Sequence, residues 1–276
     1  MKRRHFLGLS GLAGLPSCRG SSAPRHWKGI AMGIEVSVKY HGDSDLKPPL
    51  EAVAQAEEAL TLWSGDSALR QLNERGQLES PPPALLACLK KSRELFVASD
   101  GLFDPSIHSF LSWAKLEYES GRTPSKRQTV QRLELVDFSR VQISEKKVIL
   151  PPGMSLSFNA IAQGYLTDLF AETFSAPSAL INFGEFRVIG SARWPVEVKG
   201  RTHSLTRALA VSSGSGQRLS ATSAANHLID PKTGKSPPPK KVVAVEAEEA
   251  WLADGLSTIV ALGGEIPDLY RSAKIL

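Results

Sequence analysis

The spacing of apolar and polar residues in the first half of the chain predicts one strand followed by helices. Residues 28–40 end in a regular alternation of polar and apolar side chains, which is typical of a half-buried strand. Residues 50–62 are rich in Ala, Glu and Leu and predict an amphipathic helix, and a second helix is expected over residues 84–99. Residues 107–113 are apolar enough to pack. The polar residues 118–128 indicate a surface connection.

The second half of the chain has the pattern of a sheet. Short apolar runs bounded by turn residues predict strands at residues 136–143, 147–150, 179–190, 196–198 and 209–212. The first two should form a hairpin, and the third should be a strand, a turn at Gly184 and another strand. Residues 156–165 are expected to be a strand end that runs into a helix continuing to about Phe174.

Composition restricts the class of protein. The 276 residues are enough for a large core, and we expect a single compact unit. A hydrophobic content of 42% with 22% charged residues argues against both disorder and a membrane protein with many spans. The net charge of +5 comes from scattered lysines and arginines, so no nucleic-acid-binding surface is indicated.

The first 18 residues have the features of an export signal: a basic start, a short apolar run and small residues before a cysteine. Arg3 and Arg4 resemble a twin-arginine export motif. The residues before Cys18 resemble a bacterial lipobox, although Pro16 departs from the usual pattern. We therefore expect an exported protein, anchored by a lipid on Cys18 at the periplasmic face of a membrane in the bacterial cell envelope, with simple secretion as the alternative.

Residues 19–27 are interpreted as a linker, and residues 28–276 as one domain. After removal of the signal only Cys88 would remain, so no intramolecular disulfide is possible and stability must come from the core. Cys88 lies in an apolar run within the second predicted helix. It is interpreted as a buried helix residue.

Two stretches late in the chain carry the residues most suited to chemistry. Asp254 and Thr258 are four residues apart, so on a helix they share one face and offer a carboxylate and a hydroxyl to one site. Such oxygen ligands suit Mg²⁺, which usually keeps several waters and shares its remaining positions with substrate phosphates. The alternative is that Asp254 is a helix cap or a solvated charge.

His227 lies just ahead of a predicted type I turn at residues 230–234, in which Pro231 supplies the fixed φ. A histidine in that position is a candidate general base, although a lone histidine is more often structural.

Two further stretches have both a functional and a structural interpretation. The small residues Ala160, Ala162 and Gly164 would allow a ligand close to the backbone, or they serve plain helix packing. Residues 212–216, rich in Ser and Gly, could hold an anion on backbone amides or form a simple hairpin turn.

Taken in order, these motifs resemble the ApbE family, the FAD:protein FMN transferases. The resemblance covers most of the chain after the signal and rests on Met32-Gly33, Asp100-Gly101-Leu102-Phe103-Asp104-Pro105, Ala160-Ile161-Ala162-Gln163-Gly164-Tyr165 with Asp168, Asn182-Phe183-Gly184, Ser213-Gly214, His227-Leu228-Ile229-Asp230-Pro231-Lys232-Thr233-Gly234 and Leu252-Ala253-Asp254-Gly255-Leu256-Ser257-Thr258. The last two are the most specific.

The resemblance implies an α+β fold, a single unit with a mixed or antiparallel sheet and flanking helices. It also implies binding of FAD with Mg²⁺, and transfer of the FMN moiety to a threonine hydroxyl of an exported acceptor protein with release of AMP. Carried over by motif, the metal ligands would be Asp254, Thr258 and the carbonyl of Ala160. His227 would be the base that deprotonates the acceptor threonine.

The same resemblance assigns the flavin site to Met32, Leu102, Phe103, Asp104, Ser157 and Gln163. Two of these depart from the family pattern: Ser157 stands where Asp is common, and Gln163 where Lys is common. Trp63 replaces an aromatic residue of the Tyr type. The departures leave two alternatives open besides transfer, an FAD pyrophosphatase in which water replaces threonine and a non-catalytic periplasmic flavin-binding lipoprotein.

Overall fold

The computed structural model describes residues 23–216, 218–219 and 225–276. These residues form seven α-helices: α1 (Lys47–Leu60), α2 (Ala68–Arg75), α3 (Pro83–Ala98), α4 (His108–Glu119), α5 (Lys126–Leu133), α6 (Ala162–Thr173) and α7 (Ala250–Ala261). They form twelve strands: β1 (Arg25–Ala31), β2 (Ile34–His41), β3 (Gln77–Glu79), β4 (Gln142–Ile143), β5 (Lys147–Ile149), β6 (Ser178–Asn182), β7 (Phe186–Gly190), β8 (Trp194–Val198), β9 (Arg201–Leu205), β10 (Ala208–Ser213), β11 (Val242–Ala247) and β12 (Lys274–Ile275). The predicted export signal and Cys18 lie outside the described residues.

One large antiparallel sheet organises the fold. Its seven strands have the order β1-β2-β6-β7-β10-β11-β12. Two smaller antiparallel sheets have the orders β3-β5-β4 and β8-β9. The expected α+β class is confirmed, but the prediction that residues 196–198 continue the main sheet is wrong. They belong to the separate β8-β9 hairpin, whose apolar residues Trp194, Val196 and Leu205 pack on the main sheet in a small core of their own.

The first predicted strand is a hairpin of two strands. β1 starts at Arg25, inside the stretch interpreted as a linker, and pairs with β2 through a turn at Met32 and Gly33. Both turn residues have positive φ, 50° for Met32 and 75° for Gly33, as a two-residue hairpin turn that matches the strand twist requires. The alternation in β2 was visible in the sequence. The turn was missed because a methionine rarely adopts this conformation.

The region predicted as a polar surface connection contains helical structure instead. α4 extends to Glu119, and α5 begins at Lys126 behind a capping box in which Ser125 and Gln128 bind each other's backbone. The predicted hairpin at residues 136–150 forms with shorter strands, because a 3-10 turn at Phe138–Arg140 occupies its start.

Residues 156–161 are not the strand end that the sequence predicted. Side chains from two helices bind this backbone: Asn73 of α2 accepts from the N–H of Leu156 at 2.7 Å and donates to its C=O at 2.9 Å. Ser109 of α4 accepts from the N–H of Ser155 at 2.8 Å. Because side chains satisfy these groups, the segment reaches α6 without pairing in a sheet.

Helix α7 is the centre of the core. Every residue of α7 except Val260 is buried, and the helix packs on β10 and β11 on one side and on α6 and α3 on the others. Cys88 of α3 is also buried, as predicted. In the described part of the chain, no helix combines the length and hydropathy needed to cross a membrane.

Helices α6 and α7 touch through their backbones at Gly164. A Cβ atom added there would lie 2.4 Å from the carbonyl oxygen of Ala250 and 2.6 Å from the Cα of Trp251. Both are backbone atoms of α7, so no side-chain rotation could make room. Of the two interpretations offered for the small residues at this junction, the structure supports close helix packing at Gly164.

We predict that Gly164→Ala destabilises the fold by roughly 1–3 kcal/mol or more, because the methyl group forces the two helices apart. In an unobstructed helix the same change would stabilise by about 1 kcal/mol. Urea unfolding followed by circular dichroism measures the difference.

Gly65→Ala is the matched control. Nothing lies within 4 Å of a Cβ at Gly65, so this variant should stay within about 0.5 kcal/mol of the parent. A Gly164→Ala protein as stable as the Gly65→Ala protein would contradict the close helix contact.

Candidate functional site

Asp254 lies in the middle of the buried helix α7 and has a relative exposure of only 5%. Its Oδ2 accepts a hydrogen bond from the N–H of Gly164 at 3.2 Å. Its Oδ1 accepts none from the part of the chain that the structure describes. Burial is the main cause that raises the pKa of Asp254 to about 7, and the nearby Asp168 adds to it. The solvated-charge alternative is therefore wrong, and the helix that Asp254 caps is α6 rather than its own.

A group of hydroxyls lies beside this carboxylate. The Oγ of Ser212, in β10, is 2.6 Å from the Oγ of Ser257 and 3.5 Å from the Oγ1 of Thr258. The Oγ of Ser257 also donates to the backbone carbonyl of Asp254 at 2.9 Å. Thr258 is buried one helical turn after Asp254, as the spacing of four predicted.

The carbonyl of Ala160 is available for a further contact. In a continuous helix the N–H of Gly164 would bind it, but α6 begins only at Ala162 and that N–H binds Asp254 instead. Among the described residues no donor binds the Ala160 carbonyl.

These three groups fit the oxygen chemistry of Mg²⁺, because the buried residue Asp254 has an unused carboxylate oxygen with a hydroxyl and a free carbonyl in the adjoining segments. The described residues contain no group of three or more His, Cys, Asp or Glu side chains arranged to hold a metal. A site of this kind would therefore need oxygens from a substrate or water as well, which is usual for Mg²⁺.

Asp168 binds the start of α7 from the neighbouring helix α6. Its two carboxylate oxygens accept from the N–H groups of Ala250 at 2.9 Å and Trp251 at 2.8 Å. The guanidinium of Arg187 lies 3.3 Å from Oδ1. Burial raises the pKa of Asp168 to about 6 against the lowering effect of these partners. The two helices thus exchange carboxylates: Asp168 of α6 caps α7, and Asp254 of α7 caps α6.

His227 is half-buried and is held by the neighbouring Asn226, which is fully buried. The side chain of Asn226 accepts from the N–H of Leu228 at 3.0 Å and donates to the carbonyl of Pro237 at 3.0 Å. Gly214 packs directly on it, because a Cβ at Gly214 would lie 2.8 Å from its Nδ2 atom.

A chain of contacts therefore links His227 to the helix of Asp254. The neighbouring Asn226 contacts Gly214, Gly214 directly follows β10, and Ser212 of β10 contacts Thr258 of α7. The predicted turn is also present. The carbonyl of Asp230 accepts from the N–H groups of Thr233 at 3.3 Å and Gly234 at 2.8 Å.

The predicted flavin-site residues fall into two groups. Met32 is at the tip of the first hairpin, half-buried, and donates its N–H to Oε1 of Glu57 at 2.8 Å. Leu102 is half-buried as well. Phe103 is buried in the main core, and Asp104 is also buried. These last two face the protein and not the solvent.

Asp104 holds a turn. Its carboxylate accepts from the N–H and the hydroxyl of Ser106 and from the N–H of Phe138, at 2.8, 2.6 and 3.2 Å. Burial nevertheless raises the pKa of Asp104 above its ordinary value. In the structure its role is to fix the segment that carries Leu102.

Ser157 lies in the segment that leads into α6, and Gln163 lies in the first turn of α6. The N–H of Ser157 donates to the carbonyl of Pro105 at 3.1 Å, which joins this segment to the one after Phe103. Gln163 lies against Gly184, where an added Cβ would be 2.6 Å from its amide carbon. Trp63 is 82% exposed in the loop after α1. Lys232, in the turn after His227, forms an ion pair with Asp100 at 2.7 Å.

The sequence interpretation missed one acidic residue at the site. Glu185 follows the turn at Gly184, is 6% exposed, and accepts from the N–H of Val211 at 3.1 Å. Burial and the nearby Asp254 raise its pKa well above the ordinary value. The signal in the sequence was an acid placed directly after a strand and a glycine turn.

A cavity of about 440 Å³ lies beside the turn after His227 and is lined mainly by apolar and proline residues, including Phe110, Tyr118, Ile229 and Pro237. None of the predicted site residues is among its described lining residues.

Comparison with known proteins gives one family match and several relatives. A profile of the ApbE family matches residues 32–273. The FAD:protein FMN transferase of Treponema pallidum (strain Nichols) is 25% identical, in an alignment that covers 81% of this chain and 74% of that protein.

Solved structures have the same fold. The apo form of the Pseudomonas stutzeri flavinyl transferase ApbE superposes with a TM-score of 0.74 at 23% identity, covering 88% of this chain and 85% of that one. The flavin transferase ApbE of Vibrio cholerae gives a TM-score of 0.71 at 18% identity, covering 88% and 87%.

We predict that Asp168→Ala destabilises the protein strongly, because it leaves the N–H groups of Ala250 and Trp251 without an acceptor and Arg187 without its carboxylate. Each buried group left unpaired should cost roughly 1–3 kcal/mol. Urea unfolding at neutral pH measures the loss.

Lys241→Met at the opposite end of α7 is the control. The Nζ of Lys241 donates to the carbonyls of Val260 and Ala261 at 2.9 and 3.1 Å. This end is less buried, so the loss should be only about 0.3–1 kcal/mol. An equal loss of stability in the two variants would contradict the prediction that the Asp168 cap stabilises α7 more than the Lys241 contacts at its other end.

Proposed function

The chain belongs to the ApbE family, and on that premise we propose that it transfers the FMN moiety of FAD to a threonine hydroxyl of an exported acceptor protein and releases AMP in a Mg²⁺-dependent reaction. The name of the Treponema pallidum relative supports the transfer. The single observation that carries the proposal is the unused oxygen of Asp254 in a buried site with no basic partner among the described residues.

The residues proposed to hold Mg²⁺ are Asp254, Thr258 and the carbonyl of Ala160. When bound, the ion supplies positive charge to a diphosphate whose negative charge would otherwise repel an incoming oxygen. The start of α6 adds to this, since the N-terminal end of a helix dipole carries partial positive charge. These features favour an anionic substrate at the α6–α7 junction.

His227 is proposed to take the proton of the acceptor hydroxyl. The threonine oxygen forms a bond to the phosphorus of the FMN moiety, the bond from that phosphorus to the AMP oxygen breaks, and AMP leaves with the electron pair. The backbone is fixed on both sides of His227, because the Asn226 side chain accepts from the N–H of Leu228 and the N–H of Asn226 donates to the Oγ of Ser236. A base held in this way lowers the barrier without binding the flavin.

Met32 and Leu102, both half-buried, are proposed to contact FAD, with Ser157 and Gln163 at the polar edge. Trp63 is exposed enough to lie against a flavin ring. Phe103 and Asp104 are proposed to act indirectly, by holding the segment that carries Leu102 in place.

We predict that Asp254→Asn abolishes both covalent flavin transfer and AMP release, because the neutral amide holds Mg²⁺ poorly. His227→Ala should lower turnover by roughly 10²–10⁴-fold and leave FAD affinity nearly unchanged, because proton removal matters to the transition state and little to ground-state binding. In-gel flavin fluorescence, AMP release and fluorescence titration of FAD measure the three quantities.

His26→Ala, on the exposed edge strand β1, serves as the control and should keep full activity. AMP release without a labelled acceptor would favour the pyrophosphatase alternative. FAD binding with neither product, in the presence of Mg²⁺ and a threonine-containing exported acceptor, would mean a flavin-binding protein and would overturn the proposed transfer.

We further propose that the protein is exported and held at a membrane by a lipid on Cys18. In that case Cys18→Ser should move it from the membrane fraction to the soluble fraction after signal cleavage. Sedimentation of the variant with membranes would contradict the lipid anchor.

A further inference from the structure

The acid that the sequence interpretation missed lies between the elements that build the cation site. The backbone carbonyl of Glu185 accepts from the hydroxyl of Thr167 in α6 at 3.2 Å, and its Oε2 accepts from the N–H of Val211 in β10 at 3.1 Å. Thr167 is one helical turn after Gly164, which binds Asp254. Val211 is the residue before Ser212, which contacts Thr258.

Gly184 is what brings Glu185 to this place. Its φ is 102°, and a Cβ there would lie 2.6 Å from the amide carbon of Gln163. Any residue with a Cβ would be strained at this φ, and it would also force the end of the Gln163 side chain to move. The turn sends the next side chain, that of Glu185, into the buried space between α6 and β10.

The carboxylates of Glu185 and Asp254 have the same unusual arrangement. Each is at least nine-tenths buried, and each has one oxygen that accepts a backbone N–H. In the part of the chain that the structure describes, the other oxygen of each accepts no hydrogen bond, and no lysine or arginine forms an ion pair with either group. The repulsion between them is among the causes that raise the pKa of Glu185.

A pair of buried carboxylates without a cation is costly, because burial penalises each charge and the two charges repel each other. Asp168, which is equally buried, differs in having Arg187 and two N–H groups as partners. The cost at Glu185 and Asp254 is removed when a divalent cation binds nearby.

We propose that Glu185 is a further acidic residue of the cation site, a positioning residue whose free oxygen faces the ion through its hydration water and adds negative charge beside Asp254. The inference rests on the proposed function, in which Asp254 holds Mg²⁺ directly. Mg²⁺ keeps several of its waters in protein sites, so a carboxylate without direct contact still contributes through them. The second acid also favours a divalent over a monovalent cation.

The test is Mn²⁺ binding, measured by electron paramagnetic resonance of the free ion on the full chain, with Mg²⁺ as competitor. Glu185→Gln should weaken Mn²⁺ binding by about 10–100-fold. It should also raise the melting temperature of the metal-free protein, because one of two mutually repelling buried charges is removed. A residue with a merely structural role would lower stability and leave metal affinity unchanged.

Three other variants make the result decisive. Glu246, on β11, forms an ion pair with Arg207. The Glu246→Gln variant should therefore bind Mn²⁺ like the parent. Glu185→Asp keeps the charge and should bind Mn²⁺ more tightly than Glu185→Gln, which also decides the question if the glutamine variant fails to fold. Asp254→Asn should lose binding altogether.

The outcomes separate the two proposals. Parental Mn²⁺ affinity in Glu185→Gln, or equal affinity in the aspartate and glutamine variants, overturns the role of Glu185 while the proposed function stands. Parental affinity in Asp254→Asn overturns the cation site itself, and the proposed function fails with it.

Discussion

The contact between helices α6 and α7 is the constraint on which the rest of the structure depends. At Gly164 the two backbones touch; the first turn of α6 donates one N–H to Asp254 of α7, and the first turn of α7 donates two N–H groups to Asp168 of α6. A carboxylate at a helix start is favourable because the unpaired N–H groups there carry partial positive charge. The exchange fixes both helices against the sheet and leaves Asp254 buried with one oxygen unused. The contact between α6 and α7 that stabilises the fold therefore also forms the candidate cation site.

The sequence predicted those parts of the fold that local patterns determine. The spacing of four between Asp254 and Thr258 placed both on one buried helix face, and the strand, turn and strand around Gly184 form as expected. Tertiary contacts decided the parts that were missed. Residues 156–161 have an apolar pattern typical of a strand, but Asn73 binds both backbone groups of Leu156 and the N–H of Ser157 donates to the carbonyl of Pro105 instead of to a strand. The β8-β9 hairpin has a strand pattern, and nothing in that pattern says to which sheet it belongs.

The residues of the candidate site also divide into those that local patterns predicted and those that tertiary contacts decided. Motif positions Asp254 and Thr258 lie against the start of α6, next to the motif residue Gly164, because the two helices touch there. Phe103 belongs to another of these motifs, yet it is buried in the core, and we therefore infer that it supports the site from within the fold. The local pattern marked Glu185 as an acid after a glycine turn, but only the fold shows that its carboxylate lies between α6 and β10.

The most direct test of this account is the position of the cation. Crystals grown with FAD and Mn²⁺ should give one anomalous difference peak at the α6–α7 junction, in direct contact with the Asp254 carboxylate and within one water of Glu185. That peak would also lie next to the carbonyl of Ala160. A crystal structure with FAD bound and the Mn²⁺ peak elsewhere, or with the Asp254 oxygen turned to a protein donor, would contradict the account.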